Sequence, residues 1–162
     1  MLGICVLGAP ALVGQQAEDD SDALMVNPEQ DAYDIAESLY AQARSADKNT
    51  QGRNMALASA AELFGRFVKD FPDSPNAIKA QFRQAVCLEE LGNRSAADAV
   101  LEKIAARKGG GEFAATAAYK LATQAASRNL WEKARNYYMV TARETQTDKM
   151  RNDANFRLAR AH

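Results

Sequence analysis

Histidine is nearly missing from this sequence, since the only one is His162, the last residue. Cysteine is also scarce, with Cys5 and Cys87 as the only two. A typical zinc site combines several His and Cys ligands, and Ser-His or Cys-His catalysis needs an imidazole inside the fold. Neither kind of site can be built in the core from these residues. Because the carboxylates are scattered as surface partners for Lys and Arg, we expect a protein without catalytic activity, cofactor or metal.

Neither sign of charge dominates, because 20 basic and 21 acidic side chains leave a formal net charge of −1. A general attraction to nucleic acid or to anionic lipid is therefore not expected. Proline is rare as well, with four prolines at positions 10, 28, 72 and 75. Good helix formers dominate after residue 30, so long helices fit between the prolines. The composition predicts an all-α fold.

The chain has no apolar run long enough to cross a bilayer, but its first stretch, residues 1–13, is almost wholly apolar. The acidic, polar run 15–22 follows it. This order resembles the end of a secretory signal peptide, which predicts a signal peptide at 1–17, an acidic linker at 18–30 and an extracytoplasmic protein. A basic first region is missing, because the first basic residue is Arg44. Either the start of the protein lies upstream, or the stretch is an apolar arm of a cytoplasmic protein.

One order of small, aromatic and basic residues recurs every 37 residues. It reads Ala80, Phe82, Arg83, Ala85, then Ala117, Tyr119, Lys120, Ala122, then Ala154, Phe156, Arg157, Ala159. The same period relates Ala60, Ala97 and Ala134, and also Phe64, Leu101 and Tyr138. Apolar residues within each set follow the i, i+3, i+4, i+7 spacing of one helix face. A fixed period of this length indicates one supersecondary unit used several times, here a helix, a tight turn and a second helix.

The turns and the joints between units are marked by glycine, asparagine and proline. Gly92 and Asn129 occupy equivalent places between the helices of their units, and both residue types tolerate the left-handed conformation that ends a helix. Pro72 ends a helix before the joint 71–77. The glycines of the joint 108–113 are not followed by the Lys-Ser/Thr of a phosphate-binding loop, so we interpret them as a flexible connection.

These signals predict helices at 31–46, 53–71, 75–91, 94–107, 112–127, 130–144 and 148–162. An earlier unit fits if Ser38, Tyr40 and Ala43 match Ala80, Phe82 and Ala85, with a lengthened turn in 45–52. Trp131 follows a turn, and we expect it to pack in the core rather than to stack on a ligand.

The repeat resembles the tetratricopeptide repeat over residues 31–162. Its signature places are matched by Ala85, Leu88, Gly92, Ala97, Leu101 and Ile104 in one unit and by Ala122, Ala125, Asn129, Ala134 and Tyr138 in the next. Gln81 and Ala118 depart from it where the family often carries Trp, and the period exceeds the usual spacing of about 34. The resemblance implies a right-handed stack of antiparallel helix pairs, a solenoid of about three and a half repeats whose first helices line a concave groove. The phrase "FVKDFPDSPNAIKAQF" is similar to bacterial envelope members of the Tol-Pal cell-division coordinator and outer-membrane assembly lipoprotein type.

The resemblance also implies a function, namely a non-catalytic scaffold that binds a peptide or partner protein in the groove, in the periplasm or elsewhere in the bacterial envelope. The candidate groove residues are Lys79, Phe82, Arg83, Tyr119, Lys120, Phe156 and Arg157. We call the four cations among them the basic column. It fits an acidic segment or a C-terminal carboxylate, or else it is a solvated column paired with Glu89, Glu90 and Asp153.

A second function stays open, a regulatory or spacer array of a longer enzyme or machine. The ending "NDANFRLARAH" repeats a first helix and stops before a second one, so the array is expected to be cut off within a repeat. No oligomeric state is indicated.

Overall fold

The computed structural model describes residues 27–48 and 50–160, and all regular secondary structure within these ranges is helical. The helices are α1 (Pro28–Ser45), α2 (Gln51–Asp70), α3 (Ala77–Glu90), α4 (Arg94–Ala105), α5 (Gly111–Ser127), α6 (Trp131–Glu144) and α7 (Asp148–Arg160). The predicted all-α fold is confirmed, and the predicted helix ends within these ranges agree to within three residues. The predicted signal peptide, residues 1–17, lies outside the described residues.

Asparagine side chains cap the helices α1 and α4 where they begin. The Oδ1 atom of Asn27 accepts a hydrogen bond from the backbone N–H of Gln30 at 3.2 Å, and Pro28 takes the first helical position. Helix α1 therefore starts inside the expected linker 18–30, three residues before the predicted start. Asn93 caps α4 in the same way.

The turns have the backbone geometry that their residues predict. Gly92 has a φ of 78° and Asn129 a φ of 59°, so both adopt the left-handed conformation. The start of α3 differs from its prediction, because the Oγ atom of Ser74 accepts a hydrogen bond from the N–H of Asn76. This bond keeps Pro75 in the preceding turn, and α3 begins at Ala77.

Alanines lie at the contacts between neighbouring helices. Each helix packs against the next one along the chain. Six alanines at the repeated places have no exposed surface: Ala60, Ala97, Ala134, Ala80, Ala117 and Ala154. Such small side chains let two helices approach closely, while the buried Phe64, Leu101 and Tyr138 fill the space between pairs. The fold is a TPR-like solenoid of stacked helix pairs, as expected.

The first unit departs in part from its predicted match. Tyr40 and Ala43 are buried, as the match requires. Ser38 is exposed, whereas Ala80 is buried, so the match at Ser38 is wrong. Helix α1 has 18 residues against 14 in α3, and the turn that follows it is also longer.

Cys87 and Trp131 lie in contrasting environments, since the first is buried and the second is exposed. Cys87 is buried beside Leu57 and Phe64, and burial raises the pKa of its thiol to about 12. It is a packing residue at neutral pH. The expectation that Trp131 packs in the core is wrong, because its side chain is 50% exposed in the first turn of α6.

We predict that Ala97→Leu lowers the free energy of unfolding by about 1–3 kcal/mol, because the larger side chain overpacks a contact between helices. Urea denaturation would measure it. The matched control is Ala99→Leu, at an exposed position of the same helix, which should change stability by less than about 0.5 kcal/mol. Equal stability of the two variants would contradict the proposed helix contact.

Candidate functional site

The predicted groove residues lie on the first helices of successive units. Lys79, Phe82 and Arg83 lie on α3, Tyr119 and Lys120 on α5, and Phe156 and Arg157 on α7. Polar side chains connect each of these helices to the preceding or following first helix. The basic column therefore runs across three consecutive first helices.

Glu37 of α1 contacts the first two cations of the column, Lys79 and Arg83. One of its carboxylate oxygens, Oε1, accepts a hydrogen bond from the Nε atom of Arg83 at 3.2 Å and lies 3.9 Å from the Nζ atom of Lys79. The same oxygen accepts a hydrogen bond from the Tyr33 hydroxyl at 2.6 Å. Glu37 thus connects α1 to α3 through two cations. The sequence did not predict the role of Glu37, because the inserted turn obscures its relation to the later units.

Burial and hydrogen bonding act in opposite directions on Glu37. Partial burial by itself raises the pKa of this carboxyl, but the hydrogen bonds from Tyr33 and Arg83, with the charges of Arg83 and Lys79, outweigh it. The resulting pKa lies below its ordinary value. The pKa of Tyr33 is raised in turn, by burial and by its bond to Glu37. Glu37 is therefore a carboxylate near neutral pH.

Similar carboxylates hold the later cations of the column. The Nζ atom of Lys120 donates to Glu89 Oε2 at 2.5 Å, connecting α5 to α3. Asp153 of α7 accepts from the Tyr119 hydroxyl at 2.5 Å and from the Nε atom of Arg157 at 2.7 Å. These two hydrogen bonds hold the pKa of Asp153 below its usual value.

Each cation of the column is thus paired with a carboxylate of the chain. Glu89 and Asp153 act as partners, as the solvated alternative expects. Glu90 instead forms an ion pair with Arg53 of α2.

Two arginines of the column also lie over aromatic rings of the preceding unit. The guanidinium carbon of Arg83 is 4.7 Å from the ring centroid of Tyr40, and that of Arg157 is 5.6 Å from the ring centroid of Tyr119. Cations at such distances are attracted by the ring face. The Phe82 ring packs against that of Phe113 at 5.7 Å between centroids, whereas Phe156 is exposed.

The column retains capacity for a further carboxylate. Among residues 27–48 and 50–160, Arg83 forms a hydrogen bond through Nε alone, so its two terminal nitrogens stay available as donors. The side chains of the four cations are between 32% and 43% exposed. An incoming carboxylate can therefore reach them and compete with Glu37 or Glu89 for the same donors.

Other kinds of site find no support within the described part of the chain. It contains no group of three or more His, Cys, Asp and Glu side chains placed to hold a metal ion. None of its helices combines the length and apolar character that a membrane span requires.

Comparison with known proteins identifies one helix pair. The family model for the tetratricopeptide repeat matches residues 79–107, which cover most of α3 and all of α4. No curated protein and no solved structure matches the chain. The family match and the stacked helix pairs together support a tetratricopeptide repeat protein, and repeats of this family are generally protein–protein interaction modules. The matched pair contains Lys79, Phe82 and Arg83.

We predict that Glu37→Gln makes stability less sensitive to acid. A carboxyl whose pKa is lowered by folding contributes stability above its unfolded-state pKa and loses it as the pH falls through the folded-state value. The wild type should therefore lose more free energy of unfolding than the variant between about pH 6 and about pH 3. Urea denaturation across this range would measure the difference.

The matched control is Glu62→Gln, which removes an exposed carboxylate paired with Arg66 within α2. At neutral pH it should change stability by less than about 0.5 kcal/mol, because exposed ion pairs contribute little. Identical acid sensitivity of the wild type and Glu37→Gln would refute the role assigned to Glu37.

Proposed function

We propose that this chain is a non-catalytic protein-interaction module that holds an extended segment of a partner protein along α1, α3, α5 and α7. The basic column is the observation that supports this proposal. Three of its cations, Arg83, Lys120 and Arg157, are partly exposed and occupy equivalent places on the first helices α3, α5 and α7. Each of them follows an aromatic residue in the sequence. An extended chain can meet such places one after another, because each helix pair presents the same face.

The partner segment is acidic or ends in a free carboxylate. Glu37 and Glu89 now occupy donors of the column, so they stand in for the carboxylates that a partner would bring. Arg83 offers the geometry for a two-point contact, because its terminal nitrogens lie side by side on a planar group. Exchange of one carboxylate for another requires little rearrangement of the helices.

The bacterial cell envelope is the proposed location. The apolar stretch 1–13 followed by an acidic run is the order of an exported protein's amino terminus. The resemblance of residues 67–82 to envelope members of the family supports the same location.

We predict that Arg83→Gln combined with Lys120→Gln weakens binding of a labelled acidic peptide by about tenfold, since each exposed charge pair contributes up to about 1 kcal/mol. Fluorescence anisotropy at low salt would measure the dissociation constant. The peptide carries aspartate and serine with a free carboxyl end, and its amidated form measures the share of the terminal carboxylate. The opposite pair of changes, Glu37→Gln with Glu89→Gln, should tighten binding, because these carboxylates no longer compete.

The control for both pairs is Lys133→Gln, which removes a cation paired with Glu102 between the second helices α4 and α6. It should leave the dissociation constant unchanged. If the three variants bind the peptide alike, and circular dichroism shows them folded, the column does not bind the partner.

The proposed location predicts that the mature protein begins after a residue between about positions 11 and 17, where small residues suit signal peptidase. Amino-terminal sequencing of the protein recovered from its native envelope would identify the first residue. An intact Met1 in the soluble cytoplasmic fraction would contradict the proposal.

A further inference from the structure

The turns within the helix pairs lie together at one edge of the stack. Helices α1, α3 and α5 end at Ser45, Glu90 and Ser127, and each is followed by its antiparallel partner. Because the pairs stack in register, these turns lie on the same side, and α7 ends there as well. We call this surface the turn edge. It carries three clefts, one at each junction between a turn and the following first helix.

The turn edge differs from the basic column in its electrostatics. Five cations that line the clefts form no ion pair with any described residue: Arg44, Lys48, Arg94, Arg128 and Arg160. The acids that line the same clefts are all paired: Glu89 with Lys120, Glu90 with Arg53, and Asp153 with Arg157. Two exposed acids, Asp47 and Glu132, lie next to the turns. The edge therefore keeps an excess of free positive charge in a chain whose net charge is −1.

The last cleft adds a large apolar surface. Trp131 and Phe156 line this cleft and are 50% and 59% exposed. Ala126 and Tyr138 line it as well. The cleft is open to solvent, and its volume of about 360 Å³ is close to the 410 Å³ and 350 Å³ of the other two, so its aromatic lining and not its size distinguishes it. The guanidinium of Arg160 lies 5.5 Å from the Phe156 ring.

The preceding unit shows that packing does not require these apolar residues. One period earlier, the places of Ala126 and Trp131 are held by Glu89 and Arg94, which line the middle cleft. The turn forms equally well with either pair. Charged side chains such as Glu89 and Arg94 are readily hydrated, whereas Trp131 and Phe156 together expose an apolar patch, which is typical of an interaction site.

We propose that the turn edge binds an acidic segment of a partner protein, with one large apolar side chain of that segment seated between Trp131 and Phe156. Free cations along the edge attract the acidic residues, and the aromatic cleft supplies the buried apolar contact that anchors the complex. A peptide matches both features, since it combines carboxylates and an apolar side chain on one chain. This surface shares Phe156 and Arg157 with the candidate groove, whereas Trp131 and the unpaired cations of the turn edge lie outside the set of groove residues.

The full chain itself reports occupancy, because Trp131 is its only tryptophan. The probe is a synthetic peptide with one leucine between runs of aspartate, so the peptide adds no indole fluorescence. Titration at low salt should shift the emission of Trp131 to shorter wavelength until the site saturates, because the indole ring leaves water. The same peptide with serine in place of leucine should produce no such shift.

Arg128→Gln with Arg160→Gln should raise the dissociation constant about tenfold, since two free cations are lost. Both side chains are exposed and outside ion pairs among the described residues, so folding should persist, and circular dichroism checks it. Lys79→Gln with Arg83→Gln is the matched control and should leave this titration unchanged, because both cations pair with Glu37, which lines none of the three clefts. That separation keeps the test independent of the groove.

Three results would overturn the proposal. The first is an unchanged Trp131 spectrum at saturating peptide, and the second is equal affinity of the wild type and the Arg128/Arg160 variant. The third is an equal spectral shift with single-stranded oligothymidine, which would assign the edge to polyanions in general.

Discussion

The close approach of neighbouring helices at alanine is the constraint on which the rest of the structure depends. Alanines at six repeated places have no exposed surface, so a larger side chain there must push two helices apart. Their spacing also fixes the distance between one first helix and the next. Contacts such as Glu37 with Arg83 and Tyr119 with Asp153 form only because side chains of ordinary length can cross that distance.

The polar contacts that follow from this spacing distribute the charge of the array. Each cation of the basic column pairs with a carboxylate, which belongs to an adjacent unit for Lys79, Arg83 and Lys120 and to the same helix for Arg157, so the column is close to neutral in the free protein. Along the turn edge the acids that line the clefts pair with Arg53, Lys120 and Arg157, and five other cations that line the clefts have no ion-pair partner among the described residues. The same chain therefore presents one surface where a ligand must displace internal carboxylates and another where free cations are already available. The two surfaces should differ in affinity and in salt dependence for this reason.

The sequence period predicted the helices and the buried alanines well, because a buried place in a repeat accepts few residue types. It also predicted the left-handed conformation at Gly92 and Asn129. It did not predict Glu37, since ion pairs between units depend on side-chain length and on a register that the insertion after α1 obscures. Trp131 was placed wrongly because the family resemblance implies an apolar packing residue at this place, whereas in this chain the first turn of α6 faces outward there, as does Arg94 one unit earlier. At this exposed place the period gives no signal of the residue's role, because Arg94 and Trp131 differ in character.

Differences between units are therefore more informative about function than the features that the units share. Shared residues such as Ala97 and Ala134 are required for stacking, and they would be present in any array of this kind. Glu89 and Arg94 give way to Ala126 and Trp131 at places where the fold accepts either pair. A change that folding does not require, and that exposes a large aromatic surface beside free arginines, needs another physical reason. The proposed contact with a partner supplies that reason, because a bound segment removes the aromatic surface from water.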